Sequence, residues 1–398
     1  MKTKRLTMDV DYHDLSWRHK GEPSDLEQLF DHMQEAGFDA TIWDAFWCGT
    51  ALYHSKHLPV FANAGGWATP INLANTLKQW DPLSCAIKLG NERNIQVLPY
   101  FRLLEEAYAP FDGNEFFRKH PEYWWQTRCG MYRIVGWPCY NYPEVREHML
   151  ERVKDLVEHG VRGAFFDMTR SHIPYFVPYR WGDGNGFGFN KPVVEEFKRR
   201  HGVDLSKFDY VEDVATADHG GLPFTYERRW VGAEPYDMWA FRRLLGEGFD
   251  LFLRKVRRQY PDFYIAVQAG ALQAGGRPDE PIHEAICRID LEGLCADKVV
   301  NEFSVSMNYR TSDLDASLLP RFQHVIDSGR QLTAWLNDMF ISDGGGGPKA
   351  SLKEVSAYVD RFLKSSVNGA IIHEALFLMD RDDAELVWQQ LSLLKNTP

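Results

Sequence analysis

The sequence has few of the features that mark membrane, secreted or nucleic-acid-binding proteins. Its 398 residues contain no run of about 18 apolar residues, so we expect no transmembrane helix. The amino terminus becomes acidic at Asp9 and Asp11 before any apolar run, which predicts no signal peptide. Lys and Arg number 45 against 56 Asp and Glu, a net charge of −11, and nucleic-acid surfaces are usually basic. We therefore expect a cytoplasmic protein that binds neither membranes nor nucleic acid.

Cysteine and cofactor motifs are also scarce. Six cysteines are too few for a disulfide scaffold, and none forms a Cys-x-x-Cys pair. His54 and His57 lie three residues apart, but no third ligand follows at a spacing typical of zinc. The glycines of residues 182–188 recur every second residue, unlike the GxGxxG pattern of dinucleotide-binding folds. We expect neither a metal nor a cofactor.

Aromatic residues, in contrast, are abundant. The chain contains 13 Trp, 17 Tyr and 25 Phe. Rings in such numbers either build a large core or line a cleft in which sugars stack against them. The aromatic content is also too high for a chain that is mainly disordered.

Short apolar runs alternate with helical patterns along the whole chain. The predicted strands are residues 5–12, 40–46, 95–102, 162–167, 263–268, 299–307, 332–337 and 370–374. Ser24 with Glu27, and Ser351 with Glu354, match the capping box that starts a helix. Eight strand–helix units predict an α/β fold, a (β/α)8 TIM barrel spanning residues 1–398, with 168–236 as an elaborated loop over the active-site face. A doubly wound open sheet is the alternative, but its Gly-rich turn is missing after the first strand.

Acidic residues lie at or near the carboxyl ends of the predicted strands, where barrel enzymes carry their active sites. These residues are Asp11, Asp44, Asp167, Glu302, Asp338 and Glu374. A carboxylate buried at such a position costs free energy unless it is paired with another group. Several such carboxylates on one rim therefore indicate a functional site.

Three segments resemble a known family. Residues 141–146 (Asn-Tyr-Pro-Glu-Val-Arg) followed by 160–170 (Gly-Val-Arg-Gly-Ala-Phe-Phe-Asp-Met-Thr-Arg) resemble the helix–strand signature of the family-10-like glycosyl hydrolases. Residues 193–204 and 239–254 also resemble segments of that group. The resemblance implies a TIM barrel that acts on carbohydrate, with Asp167 in its active site.

Paired carboxylates beside sugar-stacking rings are the arrangement of glycoside hydrolysis, in which one acid protonates the leaving oxygen while the other attacks carbon or activates water. Asp167 is the predicted nucleophile or base, because Arg170 and His172 would favour its ionised form. Glu302 is the predicted acid, because the segment around it is largely apolar. The alternative partners are Glu374 and Asp338.

Side chains near the other strand ends are predicted to bind the substrate, and we expect their rings and cations to be reachable from one concavity. These residues are Asp11, Trp43, Trp47, Tyr100, Arg102, Arg170, His172, Gln268, Tyr309, Trp335 and His373. The expected partner is a carbohydrate substrate, and a homo-oligomer is an open alternative. Two other functions remain open: a non-catalytic sugar-binding barrel, and a lyase or metal-assisted hydrolase.

Overall fold

The computed structural model describes most of the chain. The described residues are 4–18, 21–62, 68–106, 115–126, 130, 133–168, 187–207, 212–216, 225–229, 237–271, 287–308, 314–337 and 350–396. Within these ranges, no helix combines the length and the apolar character needed to cross a membrane.

Eight parallel strands form a closed barrel in the order of the sequence. They are β1 (Arg5–Val10), β2 (Ala40–Asp44), β3 (Gln96–Arg102), β4 (Gly163–Asp167), β5 (Tyr264–Ala271), β6 (Glu302–Asn308), β7 (Gln331–Asn337) and β8 (Gly369–Ile372). The barrel closes where Arg5 to Met8 of β1 pair with Gly369 to Ile372 of β8. The predicted (β/α)8 barrel is confirmed, and the open-sheet alternative is excluded.

Helices and short hairpins connect these strands. The α-helices of the described residues are α1 (Tyr12–Arg18), α2 (Pro23–Glu35), α3 (Ala68–Gln79), α4 (Pro82–Arg93), α5 (Glu115–Lys119), α6 (Pro143–Glu158), α7 (Lys191–His201), α8 (Met238–Gln259), α9 (Leu291–Ala296), α10 (Leu314–Asp327), α11 (Leu352–Lys364), α12 (Ala375–Met379) and α13 (Ala384–Asn396). Antiparallel pairs join Phe46–Trp47 to Thr50–Ala51, Trp124–Gln126 to Arg133–Pro138, and Glu212–Thr216 to Thr225–Arg229. Much of 168–236 lies outside the described residues, so its role as an insertion stays a prediction.

The two predicted capping boxes have different outcomes. At α11, Ser351 Oγ accepts the N–H of Glu354, and the Glu354 carboxylate accepts the N–H of Ser351, as predicted. At α2 the prediction is wrong, because the helix begins at Pro23 and Asp25 instead accepts the N–H of Glu22 at 3.0 Å. A proline fits the first helical position, where no intrahelical N–H bond is needed, so the helix starts before Ser24.

The core has two layers. Inside the barrel, small residues alternate with rings, and the interior cluster includes Ile42, Leu98, Tyr100, Phe165 and Trp335. A larger cluster fills the space between the outer faces of the strands and the helices. Because strand side chains alternate between these layers, each strand places every second residue inside the barrel.

Helix α6 anchors the segments that follow β2 and β3. The two terminal nitrogens of the Arg152 guanidinium, Nη1 and Nη2, donate to the carboxylate of Glu106, and Nη2 also donates to the carbonyl of Gly49 at 3.3 Å. One turn further along α6, Asp155 accepts the hydroxyl of Tyr53 at 2.6 Å. Arg152 and Glu106 are both buried, so removal of either partner would leave an uncompensated charge. The helix therefore holds both segments against the barrel.

His148 makes the stability of the protein depend on pH. Its ring stacks on Phe116 with centroids 4.1 Å apart, and burial together with the nearby Arg152 lowers its pKa to about 3. The unfolded chain binds a proton at this ring near pH 6.5 while the folded chain does not, so stability falls as the pH drops below about 6.5.

His148→Gln removes this pH dependence. Between pH 7 and pH 5, the wild-type protein should lose about 2 kcal/mol more unfolding free energy than the variant does, from about 1.4 kcal/mol per pH unit. Urea unfolding of both proteins at the two pH values measures the difference. Equal losses in the two proteins would show that the ring is not kept neutral by the fold.

Candidate active site

Asp167 lies at the carboxyl end of the barrel. It is the last residue of β4, is fully buried, and accepts a hydrogen bond of 2.6 Å from the hydroxyl of Tyr100. The register pairs Arg102, the last residue of β3, with Asp167. Tyr100 belongs to the interior layer, so its hydroxyl reaches the carboxylate from within the barrel. This contact orients Asp167 at the mouth, the name used here for the carboxyl end of the barrel where the strands end.

Arg102 joins three acidic residues around the mouth. Its guanidinium nitrogens lie 2.7 Å from Asp44 Oδ1, 3.0 Å from Asp11 Oδ1 and 3.6 Å from Glu105 Oε2. All four side chains are at most 2% exposed. The guanidinium also lies over the ring of Tyr100, 4.6 Å from its centroid. A planar group with several fixed donors suits this bridging role, which a lysine could not reproduce.

His13 and Trp47 extend this group of side chains toward the rim. His13 Nδ1 is 2.7 Å from Asp44 Oδ2, and its ring stacks on Trp47 at a centroid separation of 5.6 Å. Helix α1 begins directly after Asp11, which holds Asp11 and His13 at the same end of the barrel.

Asp11, His13 and Asp44 have the spacing of a metal site. Each offers one ligand atom, and these atoms lie within 4.8 Å of one another. Two carboxylates and an imidazole could bind a divalent cation. However, Arg102 already engages one oxygen of each aspartate, so a guanidinium supplies positive charge at this position. A second cation would be repelled by that charge.

An aspartate–histidine pair lies where β1 meets β8. Asp9 Oδ2 is hydrogen bonded to His373 Nδ1, and both side chains are buried. The His373 ring lies 6.0 Å from the ring of Trp335 between centroids. Trp335 in turn lies 6.0 Å from Tyr100.

Some buried side-chain atoms of the described residues in this region have no hydrogen-bond partner. Gln268 Oε1 and Trp335 Nε1 have none, although the two residues are only 5% and 3% exposed. Gln268 pairs in register with Asp167, so the two residues are neighbours on adjacent strands of the barrel. Buried polar groups usually find a partner, and a bound polar ligand would supply one here.

Glu302 is at the opposite end of the barrel, which corrects its predicted role. Strand β6 begins at Glu302 rather than at Val299, so the glutamate occupies the amino end of the strand. Its Oε2 accepts the hydroxyl of Tyr264 at 2.8 Å and lies 3.3 Å from Arg5 Nε. Tyr264 and Arg5 are themselves the first residues of β5 and β1. Glu302 therefore stabilises the floor of the barrel and cannot pair with Asp167.

The structure also corrects the expected concavity of rings and cations. Trp43 faces the helices, where it stacks on Tyr12 at 5.1 Å, so it belongs to the outer core. Tyr100, Arg102 and Trp335 are buried, whereas Trp47 is partly exposed. The interior rings therefore form the base of the mouth rather than open stacking surfaces.

Of the remaining predicted site residues, the structure describes Glu374 but not the other four. Glu374 is buried just beyond β8, at the N-cap position of α12. Arg170, His172, Tyr309 and Asp338 lie outside the described residues.

Sequence reasoning did not select Asp9, His13 or Glu105 as site residues. A detectable signal existed for one of them, since Asp9 precedes Asp11 by two positions and strand alternation places both on one face.

Comparison with known proteins identifies the fold. No family model matches the sequence, and no curated protein sequence matches it. One similar structure is α-L-fucosidase isoenzyme 2 from Paenibacillus thiaminolyticus, with a TM-score of 0.54 and 12% identity over 98% of this chain and 49% of that chain. This chain thus spans about half the length of the fucosidase.

Two further similar structures are matched over nearly their whole length. The catalytic domain of β-amylase from Paenibacillus polymyxa has a TM-score of 0.57 and 10% identity, covering 99% of each chain. The PgaB (BpsB) glycoside hydrolase domain from Bordetella bronchiseptica has a TM-score of 0.54 and 13% identity, covering 98% of this chain and 99% of that chain. The chain therefore has the TIM-barrel fold found in glycoside hydrolases.

Replacement of Arg102 tests its central position in the mouth. Arg102→Met leaves three buried carboxylates without their shared cation, so the free energy of unfolding should fall by about 3–5 kcal/mol. Arg199→Met is the control, because Arg199 pairs with Glu196 on the exposed surface of α7 and should leave stability nearly unchanged. Urea unfolding at pH 7 measures both. A loss at Arg102 no larger than that at Arg199 would contradict the bridging role.

Proposed function

We propose that the protein is a glycoside hydrolase that cleaves a glycosidic bond in an oligo- or polysaccharide at the carboxyl end of its barrel. The main support for the proposal is the position of Asp167, a fully buried carboxylate at the mouth that accepts a hydrogen bond from Tyr100. The similarity in fold to glycoside hydrolases supports the same reaction class. Fold alone does not determine chemistry, so the proposal depends on the residues at the mouth.

In this proposal Asp167 acts as the ionised carboxylate. It would attack the anomeric carbon or take a proton from the attacking water. Gln268, beside it in register, would hydrogen bond a sugar hydroxyl, as would Trp335 Nε1. A sugar that forms hydrogen bonds with these two buried groups would be stabilised above the interior aromatic layer.

The second proton-transfer group is proposed to come from the end of β8. Glu374 is the carboxylate at that position and takes the place of Glu302 as one candidate partner of Asp167, and the neighbouring His373 is the other. Strands β4 and β8 are four apart in a ring of eight, so they face each other across the barrel. If groups on opposite strands lie about 6.5–9.5 Å apart, a water molecule fits beside the sugar and hydrolysis is inverting.

Metal-assisted hydrolysis is the second candidate function. The observation that favours it is the ligand-like spacing of Asp11, His13 and Asp44. The bridging guanidinium of Arg102 argues against it. Loss of turnover after treatment with a chelator, and its return on addition of a divalent metal, would favour this function over the carboxylate mechanism.

Replacement of Asp167 tests the proposed role directly. Asp167→Asn should lower kcat by about 10²–10⁴-fold or more, because the amide cannot act as a base or nucleophile. The measurement is release of reducing ends from a panel of oligosaccharides that differ in sugar and linkage. Glu302→Gln is the control and should retain turnover, since Glu302 lies on the barrel floor. Full activity of the Asp167 variant would disprove the role.

The stereochemistry of the first product is a separate prediction. If Asp167 activates water from across the barrel, the new anomeric hydroxyl has the configuration opposite to that of the cleaved bond. Proton NMR spectra recorded in the first minutes of hydrolysis, before mutarotation, identify the anomer. A product of retained configuration would indicate instead that Asp167 forms a covalent intermediate.

A further inference from the structure

The pairing of β1 with β8 places a buried aspartate–histidine pair at the mouth. Met8 of β1 pairs with Ile372, the last residue of β8. The residues that follow these two, Asp9 and His373, are therefore neighbours. Asp9 is 0% exposed and its carboxylate is hydrogen bonded to His373 Nδ1. A buried carboxylate that holds one imidazole nitrogen fixes the orientation of the ring and directs the other nitrogen elsewhere.

A continuous layer of rings connects this pair to Asp167. His373 lies beside Trp335, and Trp335 lies beside Tyr100, each at a centroid separation of 6.0 Å. The hydroxyl of Tyr100 donates to Asp167. His373 and Asp167 are therefore on opposite sides of one aromatic base, with the mouth between them. A sugar that rests on this base would have one group on each side.

The imidazole has the properties that proton transfer requires. Asp9 engages Nδ1, whereas Nε2 makes no hydrogen bond within the described structure. His373 is 8% exposed, so a ligand in the mouth could reach the ring. Histidine is the side chain that most often transfers protons in catalysis, and a carboxylate bonded to one ring nitrogen orients the other.

We propose that His373, held by Asp9, is the proton donor to the leaving group, an inference that rests on the proposed glycoside hydrolase function. Protonated His373 gives its Nε2 proton to the glycosidic oxygen while the bond from the anomeric carbon to that oxygen breaks, leaving the electron pair on the oxygen. Water forms the new bond to the anomeric carbon and gives a proton to Asp167. His373 is then neutral and Asp167 protonated, and exchange of one proton each with solvent restores both. Asp9 is a positioning residue, because it acts through His373.

The test compares two neighbouring residues on two substrates. His373→Gln and Glu374→Gln are each assayed on an oligosaccharide that the wild type cleaves and on the 4-nitrophenyl glycoside of the same sugar. Nitrophenolate leaves without protonation, so loss of a proton donor should spare the second substrate. His373→Gln should lower kcat on the oligosaccharide by about 10²–10⁴-fold with KM little changed, and should stay within about tenfold of wild type on the nitrophenyl glycoside. Glu374→Gln should lose no more turnover on the oligosaccharide than on the nitrophenyl glycoside, and Glu302→Gln, on the barrel floor, is the control that should retain activity on both.

Other outcomes overturn the inference. A substrate-dependent loss in Glu374→Gln and not in His373→Gln assigns the donor to the carboxylate. Equal loss of His373→Gln on both substrates, in a variant that melts like wild type, gives the ring a role other than proton donation. If His373→Gln does not fold, Asp9→Asn is assayed in its place, because it keeps the side-chain shape and replaces the carboxylate that holds Nδ1 of His373. A wild type that cleaves no glycoside overturns the proposed function itself, a result distinct from these.

Discussion

A single buried cation organises the carboxyl end of this barrel. Arg102 is the last residue of β3, and its guanidinium contacts Asp11 beyond β1, Asp44 at the end of β2, and Glu105 beyond β3. Without it, three carboxylates would be buried close together with no shared counter-charge. Its position over the Tyr100 ring links this network to Asp167, because the hydroxyl of the same tyrosine donates to that carboxylate. Among the described residues of this end, Arg102 therefore links the three carboxylates to Tyr100 and Asp167.

The two ends of the barrel contain buried charges with different uses. At the amino end, Glu302 accepts the hydroxyl of Tyr264 at 2.8 Å and lies 3.3 Å from Arg5 Nε. At the carboxyl end, Gln268 and Trp335 keep polar atoms without partners although they are buried. Natural proteins tolerate such a deficit where a ligand supplies the missing hydrogen bonds. The unpartnered atoms at the carboxyl end support the proposal that a polar substrate binds there.

Local pattern was sufficient to predict the barrel but not the pairing of side chains within it. Apolar alternation located all eight strands, since a strand must bury every second residue. The start of β6 was predicted three residues early, which moved Glu302 toward the wrong end. The contacts of Arg102 and of Asp9 with His373 join residues far apart in sequence, and they follow from strand register, which one sequence does not contain. Trp43 was assigned to the mouth by its position near a strand end, although alternation turns it toward the helices.

The central claim is that hydrolysis occurs between Asp167 and His373 on the aromatic base of the mouth. The most direct measurement is a crystal structure of the Asp167→Asn protein with an uncleaved oligosaccharide bound. The account predicts a glycosidic oxygen within hydrogen-bond distance of His373 Nε2, with the anomeric carbon facing the substituted residue on β4. A sugar bound at another surface, or a scissile oxygen held by a different acid and remote from His373, would contradict it.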